Sequence, residues 1–269
     1  MSSVLTLSEI YIYPVKSLGG IRLTNAQMRS KGLEFDRRWM LIDGEGKFMT
    51  QRTTPELALF RLQLNQKYFN ITFGGHSIQL TTESTSTSGT IKTKVWDDDV
   101  IVNEVSRVHS EWFSDMLKTQ CKLVHFPEEN TRPVESKFQV NNEHVSLADA
   151  FPFLIIGQAS LDDLNSRLTT PLPINRFRPN FVITGGAPYE EDTWKSFKIG
   201  SNEFMGTKPC ARCNIPTIDQ DTIQRSAEPS KTLATYRKKN NKILFGQNAI
   251  SLTTGEIKEG DHVSVLGYQ

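Results

Sequence analysis

From Val4 to about Val95 apolar and polar residues exchange places every second position in short runs, and Gly, Asn, Asp and Ser break those runs. A period of two sends successive side chains to opposite faces of a strand, so this half is expected to fold as short antiparallel strands around one apolar face. The clearest strands are 5–13, 21–28, 37–42, 57–64 and 68–73. Asp43-Gly-Glu-Gly46 between Trp39-Met-Leu-Ile42 and Lys47-Phe-Met49 is a hairpin signal, and Gly74-Gly75 before Ser77-Ile-Gln-Leu80 is another. The first half reads as a small barrel or curled sheet.

The stretch Thr82–Gly89 is low in complexity and reads as an exposed loop inside this half, with strand pattern resuming at Ile91. Val105, Val108, Trp112, Phe113, Met116 and Leu117 fall at helical spacing and predict an amphipathic helix over 105–118. Pro127 to Asn142 is polar, contains two prolines and reads as a linker. The predicted division is therefore 1–126 and 127–269. In the second half Phe153–Ile156 reads as a buried strand and Ser160–Leu168 as a helix capped by Ser160. Further strands are expected at 180–184, 214–218, 249–252 and 262–266, with a helix over 233–239. The fold class is mainly β with several helices (α+β).

With 31 Lys+Arg against 30 Asp+Glu and no basic run, the chain lacks the footprint of a nucleic-acid binder. No basic N-terminal region leads an apolar stretch and no run of about 18 apolar residues occurs, so no membrane association and a soluble, cytoplasmic protein are expected. Three cysteines, an odd number, argue against a secreted disulfide framework and for a reducing compartment. Cys121, at a predicted helix-to-strand turn, reads as structural.

The other two, Cys210 and Cys213, are three positions apart in Pro209-Cys-Ala-Arg-Cys-Asn214. A zinc site needs two further Cys or His ligands at local spacing, and His76, His109, His125, His144 and His262 are scattered singly. A thioredoxin-like pair needs a helix to follow, whereas Asn214-Ile-Pro-Thr-Ile218 reads as extended. A third reading makes one thiolate a ligand to a soft metal held mainly by an organic cofactor. It then needs a cationic cradle for the cofactor's phosphate. Lys16 with Ser17, Arg37, Arg38, Arg52, Arg176, Arg178 and Arg212 are candidates, although each taken singly also reads as a solvated surface charge.

Tyr13-Pro-Val-Lys-Ser17, Asp36-Arg-Arg-Trp39, Val95-Trp-Asp-Asp98, Ala159 to Leu168, Phe177-Arg-Pro-Asn180, Tyr189 to Trp194, Cys210-Ala-Arg-Cys213 with Asp219-Gln-Asp-Thr222, and Phe245-Gly-Gln247 together resemble the MOSC-domain family. Within it the chain resembles the amidoxime-reducing class, which carries an N-terminal β-barrel domain ahead of a MOSC domain. The resemblance implies a molybdenum cofactor (Mo-molybdopterin); pyridoxal phosphate is not expected. It makes Cys213 the metal ligand and catalytic residue, with Cys210 lining the site and Arg212 favouring the thiolate. Lys16, Ser17 and Arg37 would hold the pterin from the first half, and Arg178 and Asn180 from the second. Asn248 stands at a contact position with a different residue type, and Ala150 and Phe151 replace a polar pair of relatives. An N-terminal apolar anchor and a Cys-x4-Cys-x2-Cys ferredoxin run are both absent. Electrons would then come from a separate ferredoxin-, flavodoxin- or cytochrome-type protein with its reductase. The implied reaction reduces small N-hydroxylated molecules, amidoxime to amidine, and the alternative is a non-catalytic carrier of the cofactor or of persulfide sulfur. Asp219 or Asp221 could relay protons or could simply build an Asx turn.

Overall fold

Strands from both ends of the chain share one sheet. In this computed structural model, which describes residues 4–83 and 89–269, the sheet runs in the order Val263–Tyr268, Trp194–Ile199, Asn202–Ala211, Lys242–Ser251, Phe153–Gly157, Phe181–Thr184, Thr6–Ile12 and Ile21–Leu23. Residues 84–88 of the expected Thr82–Gly89 loop lie outside the described residues. Every neighbouring pair is antiparallel except Phe153–Gly157 with Phe181–Thr184, which helix Gln158–Ser166 joins as a crossover. Ile10 stands opposite Phe181, and Gly255–Lys258 pairs with Asn25–Arg29, so strand pairing crosses the 126/127 position in both directions. Smaller sheets complete the first half: Trp39–Asp43, Cys121–His125, Asp98–Glu104 and Thr90–Val95 form one, and Arg61–Asn65, Tyr68–Phe73 and His76–Thr81 another.

Alternation fills the interior. Thr6–Ile12 buries Leu7, Ile10 and Ile12, where rings from the second half meet them: Phe153 stacks on Phe181 at 5.3 Å, and Phe197 on Phe204 at 5.3 Å. Trp39, Phe60, Phe69 and Phe113 extend the same core into the first half. Each such ring removed from water stabilises the fold by about 1.5–3 kcal/mol.

Several expected elements differ in detail. The run 21–28 is two strands, Ile21–Leu23 and Asn25–Arg29, which bend at Thr24 to join different sheets. Residues 55–59 form a 3-10 turn, because Pro55 fixes φ and offers no amide to a ladder, and the strand starts only at Arg61. The helix expected from Ser160 runs over Gln158–Ser166 with Gly157 as its cap, and Ser160 Oγ instead donates to the buried Glu191 carboxylate. Residues 215–217 form a 3-10 turn around Pro216 where a strand was expected; the extended segment lies earlier, over Asn202–Ala211, and includes Cys210. The later helix is Ser230–Tyr236.

Other local readings match. The first helix spans Arg107–Leu117, with Ser106 Oγ accepting from His109 N and Lys118 closing it at φ 53°. Gly74 and Gly75 take φ 55° and 84° between paired Phe73 and His76, as a two-residue hairpin requires. Cys121 is buried at the start of its strand, and burial pushes its thiol up.

Candidate functional site

Lys16, Ser17, Arg37, Arg178, Asn180, Cys210, Arg212, Cys213 and Asn248 all line one cleft of about 160 Å³, together with Arg52, Asp149, Ala150 and Phe151. One wall grows from the turn after the Thr6–Ile12 strand. Tyr13 N donates to Asp36 Oδ1 at 2.8 Å, Arg37 N to Tyr13 O at 3.0 Å and Lys16 N to Trp39 O at 2.7 Å, which brings residues 13–17 and 36–39 side by side. Arg37 then donates from Nη1 to Asp36 Oδ2 at 2.6 Å and Asn180 Oδ1 at 3.2 Å. Asn180 also accepts from Leu154 N and donates to Tyr11 O, so it braces Arg37 from the neighbouring strand.

The Arg37 and Arg178 guanidiniums each lie 4.2 Å from the centroid of the Tyr13 ring. Burial pushes the Tyr13 phenol up to about 12, although both arginines oppose it. Burial also draws Arg178 down to about 10, with Arg37 contributing, so the Arg178 guanidinium remains charged at neutral pH. Two like charges on one ring in a partly buried cleft favour an anion between or beside them. Ser17, Arg37 and Arg178 hold left-handed backbone at φ 70°, 50° and 56°. Such backbone costs an L-residue about 1–2 kcal/mol, and here it aims three polar side chains at one volume.

Lys16 is buried, donating from Nζ to Leu147 O at 2.8 Å and to Asp149 Oδ1 at 2.5 Å. Burial lowers the lysine pKa and Asp149 works against that shift. For Asp149, desolvation opposes ionisation, but Lys16, Arg52 and Trp96 outweigh it and hold the carboxyl well below the usual carboxylate range. Arg132 fixes the loop beneath: it donates to Ser146 O at 2.9 Å, to Ala148 O at 2.5 Å and to Asp149 O at 2.9 Å.

The second wall is the end of the Asn202–Ala211 strand, whose pairing with Lys242–Ser251 is irregular between Gly206 and Ala211. Irregularities of this kind bend a strand and re-aim its side chains. Cys210 and Arg212 project to one side, where Arg212 Nη1 donates to Cys210 Sγ at 3.2 Å and Nη2 to Phe177 O at 2.8 Å. The cation on Cys213 is a different one: Arg52 Nη1, from the first half, approaches Cys213 Sγ at 3.5 Å. Residue 213 lies two positions past Ala211, the last residue of the strand, and its sulfur meets Arg52. Cys213 is exposed and Cys210 half-buried. Asn248 donates to Lys208 O at 3.1 Å at the cleft edge.

Other candidates lie elsewhere. Arg38 is buried against Glu128 Oε1 at 2.5 Å and Asp36 O at 2.8 Å. Arg176 holds Pro216 O at 2.9 Å and Asp219 Oδ2 at 2.7 Å, anchoring the segment after the cysteines. Asp219 Oδ1 accepts from the amides of Asp221 and Thr222, an Asx turn, and Asp221 pairs with Arg61. Arg52 was among the candidates read from the sequence, but Asp149 and the contact of Arg52 with Cys213 were not, since no local pattern marks either. Among the described residues no group of three or more His, Cys, Asp or Glu is placed to hold a metal ion. A metal at Cys213 would thus take one protein sulfur and draw its other ligands from a bound organic group, which the surrounding cations suit if that group is anionic.

Residues 4–120 match the family model described as the MOSC N-terminal beta barrel domain, and residues 142–264 that of the MOSC domain. The chain is 33% identical to mitochondrial amidoxime-reducing component 1 of Mus musculus, over 99% of this chain and 84% of that protein. Identity to the Homo sapiens protein of the same name is 33%, over 99% of this chain and 85% of that one. Molybdenum cofactor sulfurase of Oryza sativa subsp. japonica is 32% identical over 97% of this chain, which spans 34% of that longer protein. No helix among the described residues is long and apolar enough to cross a membrane.

Proposed function

This chain belongs to the MOSC-domain family, with the MOSC N-terminal β-barrel domain preceding the MOSC domain, and from that premise we propose that it is a molybdenum-cofactor-dependent reductase of small N-hydroxylated compounds. The observation that supports this most is the convergence of the exposed Cys213 sulfur with Lys16, Arg37, Arg52, Arg178 and Arg212 in one cleft. In this reading the cofactor lies between an N-terminal unit, 1–126, and a MOSC unit, 127–269.

Cys213 would supply the thiolate ligand. Lys16, Arg37 and Arg178 would neutralise the cofactor's phosphate, with Ser17 offering a hydroxyl and Asn180 keeping Arg37 in place. Cys210, Arg212 and Asn248 would border the opposite edge. Bound there, a molybdenum cofactor would supply the two-electron chemistry of the reduction. Overall an amidoxime, two electrons and two protons give an amidine and water. The electrons would come from a separate redox protein of ferredoxin, flavodoxin or cytochrome type. Asp149 is held ionised by its cationic neighbours, so it orients Lys16 and Arg52 and is not a resting proton donor. Protons would then enter from water through the open side of the cleft. Three free cysteines suit a reducing compartment, and we place the reaction in the cytoplasm.

A carrier of cofactor or of persulfide sulfur is the second reading, favoured by the exposure of Cys213 and by the name of the rice relative. Molybdenum analysis with a pterin fluorescence assay, on protein from a molybdate-supplied host, separates the reductase from the sulfur carrier. Near-stoichiometric metal in wild type that is lost in Cys213→Ala supports the reductase, while stability changes by less than about 0.5 kcal/mol because the side chain is exposed. Protein free of metal and pterin from that host would point to the persulfide-sulfur carrier.

A further inference from the structure

One cation of the cleft has no place in the cofactor cradle just described. Arg52 follows the Trp39–Asp43 strand and its side chain is 19% exposed, whereas Lys16, Ser17 and Asn180 are buried. It stands on the open side of the cleft beside exposed Cys213 and beside Trp96, itself 46% exposed. The guanidinium carbon lies 4.4 Å from the Trp96 ring centroid, and Nη1 lies 3.5 Å from Cys213 Sγ and 4.0 Å from Asp149 Oδ2.

Its position relative to that sulfur is fixed from two directions. Arg52 N donates to Thr50 Oγ1 at 3.2 Å, and Arg52 O accepts from Arg225 Nη2 at 2.7 Å. The adjacent Gln51 is fully buried and exchanges two amide hydrogen bonds, each 3.0 Å, with Gln220 on the segment that follows Cys213. Trp96 in turn packs edge-on against Phe48 at 5.4 Å. A guanidinium stacked on a ring keeps its in-plane N–H groups for a planar acceptor, and only Nη1 meets a side-chain acceptor among the described residues.

We propose that Arg52, braced on Trp96, is a specificity-determining residue that binds the oxygen of the substrate's N–OH group and rejects the product. The inference rests on the reductase reading. A neutral amidoxime presents an oxygen acceptor to the guanidinium. The amidine left after oxygen removal has lost that acceptor and is protonated at neutral pH, so the same guanidinium repels it. One residue would thereby favour substrate entry and product exit.

The test is binding without turnover: molybdenum-loaded protein, with no electron donor, titrated separately with benzamidoxime and benzamidine and followed calorimetrically. Arg52→Gln is expected to weaken benzamidoxime roughly tenfold or more, the loss of a charged hydrogen bond, and to tighten benzamidine severalfold. Arg52→Lys keeps the charge, so benzamidine stays weak while benzamidoxime recovers in part. Trp96→Leu loosens the brace and weakens benzamidoxime by a smaller factor. Molybdenum content is measured in every variant and is expected to equal wild type. Changes in the same direction for both ligands, or no change, in a metal-replete Arg52→Gln would overturn the assignment, as would loss of metal from that variant, which would make Arg52 part of the cofactor cradle. Wild type that takes up no molybdenum from a competent host overturns the reductase reading itself, and this assignment with it.

Discussion

Glu191 carries its carboxyl at 1% exposure, accepting from Gly157 N at 3.0 Å and from Ser160 Oγ at 2.8 and 2.9 Å. Burial pushes it up to about 7, with the hydrogen bonds only partly offsetting the desolvation. A carboxyl raised above its unfolded value stabilises the fold below that unfolded value, and the contribution disappears as pH rises through the folded one. Stability from this group therefore falls between about pH 4.5 and 7, by at most about 3.5 kcal/mol at about 1.4 kcal/mol per unit. Glu191→Gln keeps the acceptor and removes the titration, so urea midpoints at pH 5 and 8 should differ less in the variant than in wild type; an unchanged difference would assign the slope to other groups. At this scale the cysteine pair and the basic residues of the site were legible, because their chemistry is unusual wherever they stand. Arg52 at Cys213 was not, since the contact spans 161 positions and depends on which side of a strand end residue 213 faces. Ser160 misled for a related reason: a hydroxyl near a helix start reads as a cap until a buried acid claims it.

The Asn202–Ala211 strand links the core to the cleft. Its Gly206 leaves no room for a side chain, because a Cβ there would lie 2.0 Å from Trp194 O and 2.9 Å from Gln247 Nε2. Gly206→Ala should lower the unfolding free energy by roughly 1–3 kcal/mol, the cost of overpacking, read as a lower urea midpoint at constant slope. A wild-type midpoint would show that the two strands can part at that point without loss. Strands with one buried face, such as Thr6–Ile12, were plain from alternation. Residues 57–64 and 214–218 were not, because Pro55 and Pro216 turn apolar runs into 3-10 geometry that a two-residue period cannot reveal.

Across the whole molecule the two halves are interlocked. Thr6–Ile12 covers the edge of Phe181–Thr184, Asn25–Arg29 pairs with Gly255–Lys258, and the cleft is crossed by Lys16 with Asp149, Arg37 with Asn180 and Gln51 with Gln220. A fragment of residues 127–269 would expose Phe181 and Ile183 along an uncovered sheet edge, so it should give a collapsed amide spectrum by NMR or precipitate. The full chain should unfold in one urea transition, coincident by far-ultraviolet circular dichroism and tryptophan fluorescence. A well-dispersed spectrum from the fragment would show that the second half folds unaided. Composition and motif order carried the fold class, but nothing local in the sequence says that the first strand completes a sheet built mostly after residue 150.

The left-handed backbone at Ser17, Arg37 and Arg178 has an evolutionary corollary. Asn or Gly would sit more easily at all three positions, so a lineage released from holding its ligand would find stabilising replacements there first. In such relics melting temperature would climb as binding decayed, and unusual robustness in a homologue bearing Gly at these sites would be the fossil of a lost occupant.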